Sequence, residues 1–278
     1  MRKFMIAACA AVTLTVVLAG CSSSSGDDAT ASDCTPAHEV ETVQAGKLTV
    51  AVPVSPPYSI KDGDRYTGLD NDILAQIAEL ECLEIEYQEM SFSAGLQSVQ
   101  SGRVDTATGG VGKTEERGES LNQGYTTYRD GMALVSEEGY STYEDLKSLT
   151  LGVVQGYFWN DDLITAFGND RVKQYQNSDA MFADLEAGRI DVAVASTSEA
   201  GYRLTQAPDS GLVVELMEPH ESIAGSLGFG EVGFPNQKGS ALTAAFDEDV
   251  QTLLESGAIA DVLESYKIDG ALAGPAPE

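Results

Sequence analysis

SGRVDTATGGVGKTEER, residues Ser101 to Arg117, is the stretch that decides how this chain is read. A helix end is followed by a turn at Gly102, a short apolar strand from Val104 to Thr108, and a bend carrying Gly109, Gly110 and Gly112. A new helix starts at Thr114, which puts Arg117 in its first turn. In an α/β protein, ligands collect at the carboxyl ends of strands, where loops and helix N-termini present free backbone N–H groups. Arg117 has two readings in that setting. Its planar fork suits a carboxylate, to which it can donate two parallel hydrogen bonds. It also follows Glu115 and Glu116, and arginines on acidic helices are commonly solvated surface charges with weak pairings.

The chain opens on a segment that stands apart from the fold. Arg2 and Lys3 precede an apolar run from Phe4 to Leu18, shorter than a bilayer span and ending in small residues, so residues 1–20 read as a secretory signal. Leu18-Ala19-Gly20-Cys21 resembles the lipobox of bacterial lipoproteins, which implies cleavage before Cys21 and lipid on that residue. Two or more acyl chains hold a protein stably at a membrane, so the expected location is extracytoplasmic and lipid-anchored. Loss of Arg2 and Lys3 takes the net charge from −28 to −30. That acid excess argues against nucleic acid and anionic lipid as partners, and its dispersal along the chain fits a self-repelling soluble surface. With Cys9 lost and Cys21 lipidated, Cys34 and Cys82 remain in an oxidising compartment and are expected to form a disulfide, two free buried thiols being the alternative. Closing that loop of roughly 50 residues is worth about 4 kcal/mol on the chain-entropy model.

Residues 21–45 include SSSSGDDATASD and read as a flexible tether, with order beginning near Lys47. Strand and helix signals then alternate. Leu48 to Val52 is a β-rich run, and Asp70 to Leu80 places Ile73, Leu74, Ile77 and Leu80 at helical spacing behind a cap from Asp70 or Asp72. Leu83 to Tyr87 reads as strand and Ser93 to Ser101 as helix. A second block repeats the pattern, with strands at Leu151–Val154, Val172–Tyr175, Val192–Ala195 and Leu212–Leu216. Its helices fall at Tyr143–Leu149, Asn160–Phe167, Ser178–Ala187 and Glu199–Gln206. Strands separated by helices predict parallel sheets. SGRVDTATGG and AGRIDVAVAS share Gly-Arg-apolar-Asp ahead of a buried strand, a helix C-cap used once in each block. Helices at Lys238–Ser256 and Ala258–Tyr266, broken by Gly257, and a tail over 271–278 close the chain.

Taken in order, GLDNDILAQIAEL, SFSAGLQSVQSGRVDTATGG, TEER, LGVVQG, DLEAGRIDVAVA and LLESGAIADVLESYKI resemble the family 3 solute-binding proteins of bacterial ABC importers, over almost everything from Leu48 to Lys267. The resemblance implies an α/β, two-lobe periplasmic-binding-protein-like fold (type II) that closes on its ligand about two crossing strands. Those strands are expected near Met132–Ser136 and Ser222–Gly228. Lobe 1 is then discontinuous, made of residues 46–133 and 222–270, with lobe 2 spanning 134–221. The implied partners are a polar small molecule, typically an amino acid, and an ABC permease in the membrane, the receptor itself acting as a monomer.

The family's carboxylate-binding arginine sits three residues after a helix-starting threonine, which corresponds to Arg117 after Thr114 and favours the functional reading of Arg117. Phe92 corresponds to the aromatic wall, with a core anchor as the alternative. Other positions depart from the pattern. The hydroxyl residue two before the threonine is Gly112, which leaves only a backbone N–H. Tyr157 and Phe158 replace the Thr-Thr after the lobe 2 Gln-Gly, and Trp159, the only tryptophan, follows. The aspartate that takes the ligand's ammonium is Ser196, and the aromatic lid of the first loop is Ser55. A buried ammonium without a carboxylate partner is costly, so Ser196 argues against an ordinary α-amino acid in the ordinary pose unless Glu199 substitutes.

The site expected from these residues binds a carboxylate through Arg117 and backbone groups at Gly110 and Gly112. Phe92 and Phe158 sandwich the rest of the ligand, and Tyr157 and Ser196 supply polar contacts. Two other classes compete. Dehydratases on this fold would use a cleft acid, for which Glu199 is the nominee. A ligand sensor or adhesin would need no permease. No cofactor or metal site is expected, since His38 and His220 lack ligand-spaced partners, and without a P-loop motif ATP hydrolysis falls to other subunits.

Overall fold

A computed structural model describes residues 34–277. The signal segment 1–20, the lipidation position Cys21 and the tether up to residue 33 lie outside the described residues. No helix among the described residues is long and apolar enough to cross a membrane.

The first part of lobe 1 runs through β1 (Lys47–Val52), β2 (Ile60–Asp62), β3 (Arg65–Thr67), α1 (Leu69–Leu80), β4 (Glu84–Glu89), α2 (Phe92–Gln100), β5 (Thr106–Ala107), α3 (Glu115–Ser120) and β6 (Leu121–Asn122). Strand β7 (Tyr128–Asp130) leads out of it. Lobe 2 contains β8 (Met132–Ser136), α4 (Tyr143–Leu146), β9 (Leu151–Val154), α5 (Asn160–Phe167), β10 (Val172–Tyr175), α6 (Ser178–Glu186), β11 (Val192–Ser196), α7 (Thr197–Gln206) and β12 (Val213–Leu216). The chain returns through β13 (Gly230–Val232) and β14 (Asn236–Gln237) to α8 (Leu242–Glu255) and α9 (Ala258–Ser265), which complete a discontinuous lobe 1.

Lobe 1 is built on a parallel sheet of order β4-β1-β5. Strand β1, KLTVAV, is buried from Leu48 onward because helices cover both faces of a parallel sheet, so its apolar run is continuous rather than alternating. One core packs β1, α1, α8 and α9 around Leu48, Val50, Ile73, Ile77, Phe246 and Val250. A smaller one lies under α2, around Ala51, Val99, Val104, Ala107 and Leu121.

The lobe 2 sheet has the order β10-β9-β11-β8-β12, with separate cores around Leu134, Val153, Leu163 and Val194 and around Val135, Met181, Leu185 and Ala193. Only β10, β9 and β11 are parallel; β8 runs antiparallel to both β11 and β12, so the expected all-parallel sheet is corrected here. The reason lies in how β8 is entered, directly from β7 rather than through a crossover helix. Met132–Ser136, expected at the first crossing, is therefore a fully buried inner strand of lobe 2. The crossing segments pair antiparallel instead, Tyr128 with Val232 and Asp130 with Gly230. Within the stretch expected for the second crossing, Ile223 packs in a lobe 2 core.

Three local expectations also change. Neither Asp70 nor Asp72 caps α1: its N-cap is Gly68, and its first N–H groups, from Leu69 and Asp70, donate to the carbonyls of Pro57 and Tyr58 at 2.8 and 3.1 Å. Residues 35–45, expected in the tether, lie against lobe 1. The Ala37 N–H donates to the Leu80 carbonyl at 2.9 Å, Val40 packs on the core, and the Val43 N–H donates to Asp105 Oδ1 at 2.7 Å. The helix expected from Lys238 starts at Leu242, because β14 and a left-handed Gly239 (φ 80°) take up the preceding residues. Cys34 and Cys82 are both disulfide-bonded.

Candidate functional site

The lobes meet across a narrow cleft lined by Tyr58, Phe92, Gly110, Gly112 and Arg117 of lobe 1, Asp130 and Glu231 of the crossing segments, and Tyr157, Phe158, Trp159 and Ser196 of lobe 2. Arg117 owes its position to the helix start predicted at Thr114. The Thr114 hydroxyl caps α3 by accepting the Arg117 N–H at 3.1 Å, and the guanidinium then reaches across the cleft. One terminal nitrogen donates to the Gly112 carbonyl and the other to the Gly156 carbonyl of lobe 2, each at 2.5 Å. Its carbon lies 5.7 Å from the Phe92 ring centroid. Loss of surrounding water pulls the Arg117 pKa down to about 10, and no carboxylate forms a salt bridge with it among the described residues. Glu116 attracts it from beyond salt-bridge range, and a partly desolvated guanidinium whose hydrogen bonds go only to carbonyls suits an anion.

The Gly-rich bend works differently from expectation. The N–H groups of Gly109 and Gly110 both donate to Asp70 Oδ2 at 2.8 Å, so the Gly110 N–H belongs to a structural tie and not to a ligand carboxylate. The other oxygen of Asp70 accepts the Tyr128 hydroxyl at 2.6 Å, which joins α1, the bend and the crossing strand. Burial pushes the Asp70 carboxyl above its ordinary range. Thr114 lies outside the cleft lining and acts through the helix cap.

Gly112 and Phe158 explain each other. A Cβ at position 112 would lie 3.0 Å from the Phe158 ring, tighter than ordinary packing, so the bulky ring occupies space that the missing side chain vacates. Phe92 and Tyr157 meet edge to face with centroids 5.4 Å apart, Tyr157 meets Trp159 the same way at 5.3 Å, and Phe158 tilts on Trp159 at 4.8 Å. All three lobe 2 rings therefore line the cleft while packing on the lobe 2 core.

Ser196 lies in the cleft but is already engaged. Its hydroxyl caps α7 by accepting the Glu199 N–H at 3.1 Å and shares a hydrogen bond with the Tyr58 hydroxyl. Glu199 is turned away from the cleft and fully buried; it accepts the Tyr157 hydroxyl at 3.2 Å and approaches Arg203 at 3.9 Å. It neither reaches a ligand ammonium nor stands where a cleft acid would act. Ser55 lines a neighbouring crevice shared by Phe92 and Tyr157, not the cleft itself.

Two residues escaped the sequence. Asp130, in the crossing strand, donates nothing and accepts from four groups: Tyr58 at Oδ2, and Thr197 Oγ1, the Gly131 N–H and the Ser198 N–H at Oδ1, the last three at 2.5, 2.9 and 3.2 Å. Tyr58, buried in lobe 1, reaches both Asp130 and Ser196. The only available signals were a polar ring after Pro56-Pro57 and an acid in a strand whose register depends on β13.

The architecture and cleft together define a two-lobe solute-binding protein of the type II periplasmic class. The chain belongs to the bacterial extracellular solute-binding proteins, family 3, which match it over residues 48–268. A probable histidine-binding protein of Campylobacter jejuni is 23% identical, over 80% of this chain and 86% of its own length. The L-arginine-binding protein of Pseudomonas aeruginosa is 27% identical over 76% of this chain and 83% of its own. Among solved structures, the arginine-, lysine-, histidine-binding protein ArtJ of Geobacillus stearothermophilus superposes with a TM-score of 0.72 at 21% identity, over 79% of this chain and 94% of that one. An amino acid ABC transporter substrate-binding protein of Streptococcus pneumoniae bound to L-arginine gives a TM-score of 0.71 at 25% identity, over 82% and 96%. The family and these relatives are binding proteins rather than enzymes.

Proposed function

We propose that this protein captures a small solute carrying both a carboxylate and an ammonium, an amino acid or a close relative, and delivers it to an ABC permease while lipid on Cys21 holds it at the membrane. The observation that carries this is Arg117, partly desolvated, without a salt bridge among the described residues, and aimed between the lobes. A ligand carboxylate completes its charge balance with the remaining N–H groups of the fork.

The ammonium goes to Asp130. The acid absent from the end of β11, where Ser196 stands, is supplied from the crossing strand, and Asp130 Oδ2 accepts only the Tyr58 hydroxyl, which leaves it a free lone-pair direction. Phe92 and Phe158 flank the ligand body, and Trp159 and Tyr157 close its lobe 2 side. The relatives that bind histidine and arginine support the amino-acid class.

The experiment is a thermal-shift screen of the mature protein against α-amino acids, their decarboxylated amines, and matched acids without the amine. Amino acids are expected to stabilise it, by about 2.7 kcal/mol at a hundred times Kd, with neither half-molecule matching them. Stabilisation of an Arg117→Ala variant as strong as that of the native protein would end the assignment. The engagement of Tyr58 with both Ser196 and Asp130 favours one variant reading, a carboxylic acid with no amine, and the same screen separates the two.

A further inference from the structure

Outside the cleft, the fold gathers three metal-ligating side chains that sequence spacing keeps apart. His38 precedes β1, Glu81 is the C-cap residue of α1, and Asp249 lies in α8. We infer that these three form a site for a divalent first-row transition metal of the zinc class, which fastens the segment ahead of β1 to both α1 and α8.

The donor atoms all lie within 4.8 Å of one another. His38 Nδ1 is hydrogen-bonded to Glu81 Oε1 at 2.5 Å and lies 3.9 Å from Asp249 Oδ1, so an entering ion would replace the shared proton and part the first pair to ligand spacing. One imidazole nitrogen and two carboxylates are a ligand set that zinc accepts, with a position left for water. The other ring nitrogen, Nε2, is 3.1 Å from Glu248 Oε2. That matches the arrangement of a ligating histidine, whose second N–H donates to a carboxylate and so fixes the ring. Glu81 is oriented independently, since its Oε2 accepts the His38 backbone N–H at 3.0 Å.

Charge and burial make the same demand. Glu81 and Asp249 are each 2% exposed, and His38 is the only basic group that pairs with either among the described residues. Two carboxylates buried against one imidazole crowd like groups together, and a buried carboxylate is costly unless it is protonated, paired or bound to a metal. Asp249 Oδ2 shows the deficit directly: it is buried in this cluster without a hydrogen-bond partner among the described residues. A dication at the centre supplies that partner and balances the charge. None of the three side chains lines the cleft, so this site stands or falls apart from the solute assignment.

The test uses the full chain in detergent, stripped with EDTA and titrated with Zn²⁺ alone. One equivalent is expected to bind, raising Tm by about 5–10 °C at a hundred times Kd. Co²⁺ is expected to give a visible absorption band with imidazole in its coordination sphere. His38→Gln and Asp249→Asn should each weaken Zn²⁺ at least tenfold, whereas Arg117→Ala should bind it normally. His38 is partly exposed, so its variant reads the site even where Asp249→Asn disturbs packing. Absence of stoichiometric binding would overturn the proposal. So would Zn²⁺ or Ca²⁺ binding that survives His38→Gln unchanged, which would report only the scattered acids of this −28 chain.

Discussion

The two walls of the cleft differ in kind. Lobe 1 presents a charged fork, Arg117, fixed by a helix cap and by carbonyls from both lobes. Lobe 2 presents rings, Tyr157, Phe158 and Trp159, fixed by one another and by the core behind them. Under the proposed function lobe 1 supplies the charge, together with the Phe92 and Tyr58 rings, and lobe 2 supplies most of the shape. Changes in the first wall should decide whether a solute binds, and changes in the second should decide which one.

The same asymmetry appears in the shared Gly-Arg-apolar-Asp device. Gly102 and Gly188 have nearly equal left-handed φ, 66° and 65°, so the two helix ends are locally alike. Asp105 nevertheless is buried and accepts the Thr49 N–H, the Thr49 hydroxyl and the Val43 N–H at 2.7, 2.6 and 2.7 Å. Asp191 is exposed and its side chain accepts the Thr150 N–H at 2.7 Å. One motif closes a turn and ties back to an earlier strand start in both lobes, but only in lobe 1 is the aspartate buried and bonded to a second segment, at Val43.

The largest test of this contrast is Arg117→Ala, expected to weaken the solute by about 100- to 1,000-fold in titration calorimetry with an unchanged circular dichroism spectrum. A loss under tenfold would break it. Next is Asp105→Ala, expected to cost about 2–3 kcal/mol in urea unfolding because it strands buried donors, against under about 1 kcal/mol for Asp191→Ala. Equal losses would mean that burial does not distinguish the two copies. Asp130→Asn should weaken ligands bearing an ammonium about tenfold while sparing acids without one, read as a ratio of dissociation constants. Smallest is Gly112→Ser, expected to cost about 1 kcal/mol alone and to be rescued by Phe158→Thr, a coupling measured in a double-mutant cycle.

Where structure follows from local pattern, the sequence was sufficient. Strands Leu151–Val154 and Val172–Tyr175 and helix Asn160–Phe167 have the predicted limits, because apolar periodicity and flanking glycines fix them. The place of Arg117 in the first turn of α3 was legible for the same reason, since a threonine cap and its first turn are neighbours in sequence, whereas its role came only from the family resemblance. The α1 cap was misread through tertiary packing: a Cβ on Gly68 would lie 2.6 Å from the Tyr58 carbonyl oxygen, so only glycine fits, and Asp70 is freed to turn inward. Asp130, Tyr58 and the Asp70 tie depend on contacts spanning 39 or more positions, for which no local pattern exists. The antiparallel setting of β8 was hidden likewise, since a buried apolar strand reads the same in either direction.

The fit of Phe158 over Gly112 also binds one residue from each lobe into a single unit of exchange. A side chain restored at 112 would meet the ring at about 3.0 Å, whereas a smaller residue at 158 would leave room for it. Neither position can therefore be altered freely while the other stays as it is, and the two walls of the cleft must change together at this point.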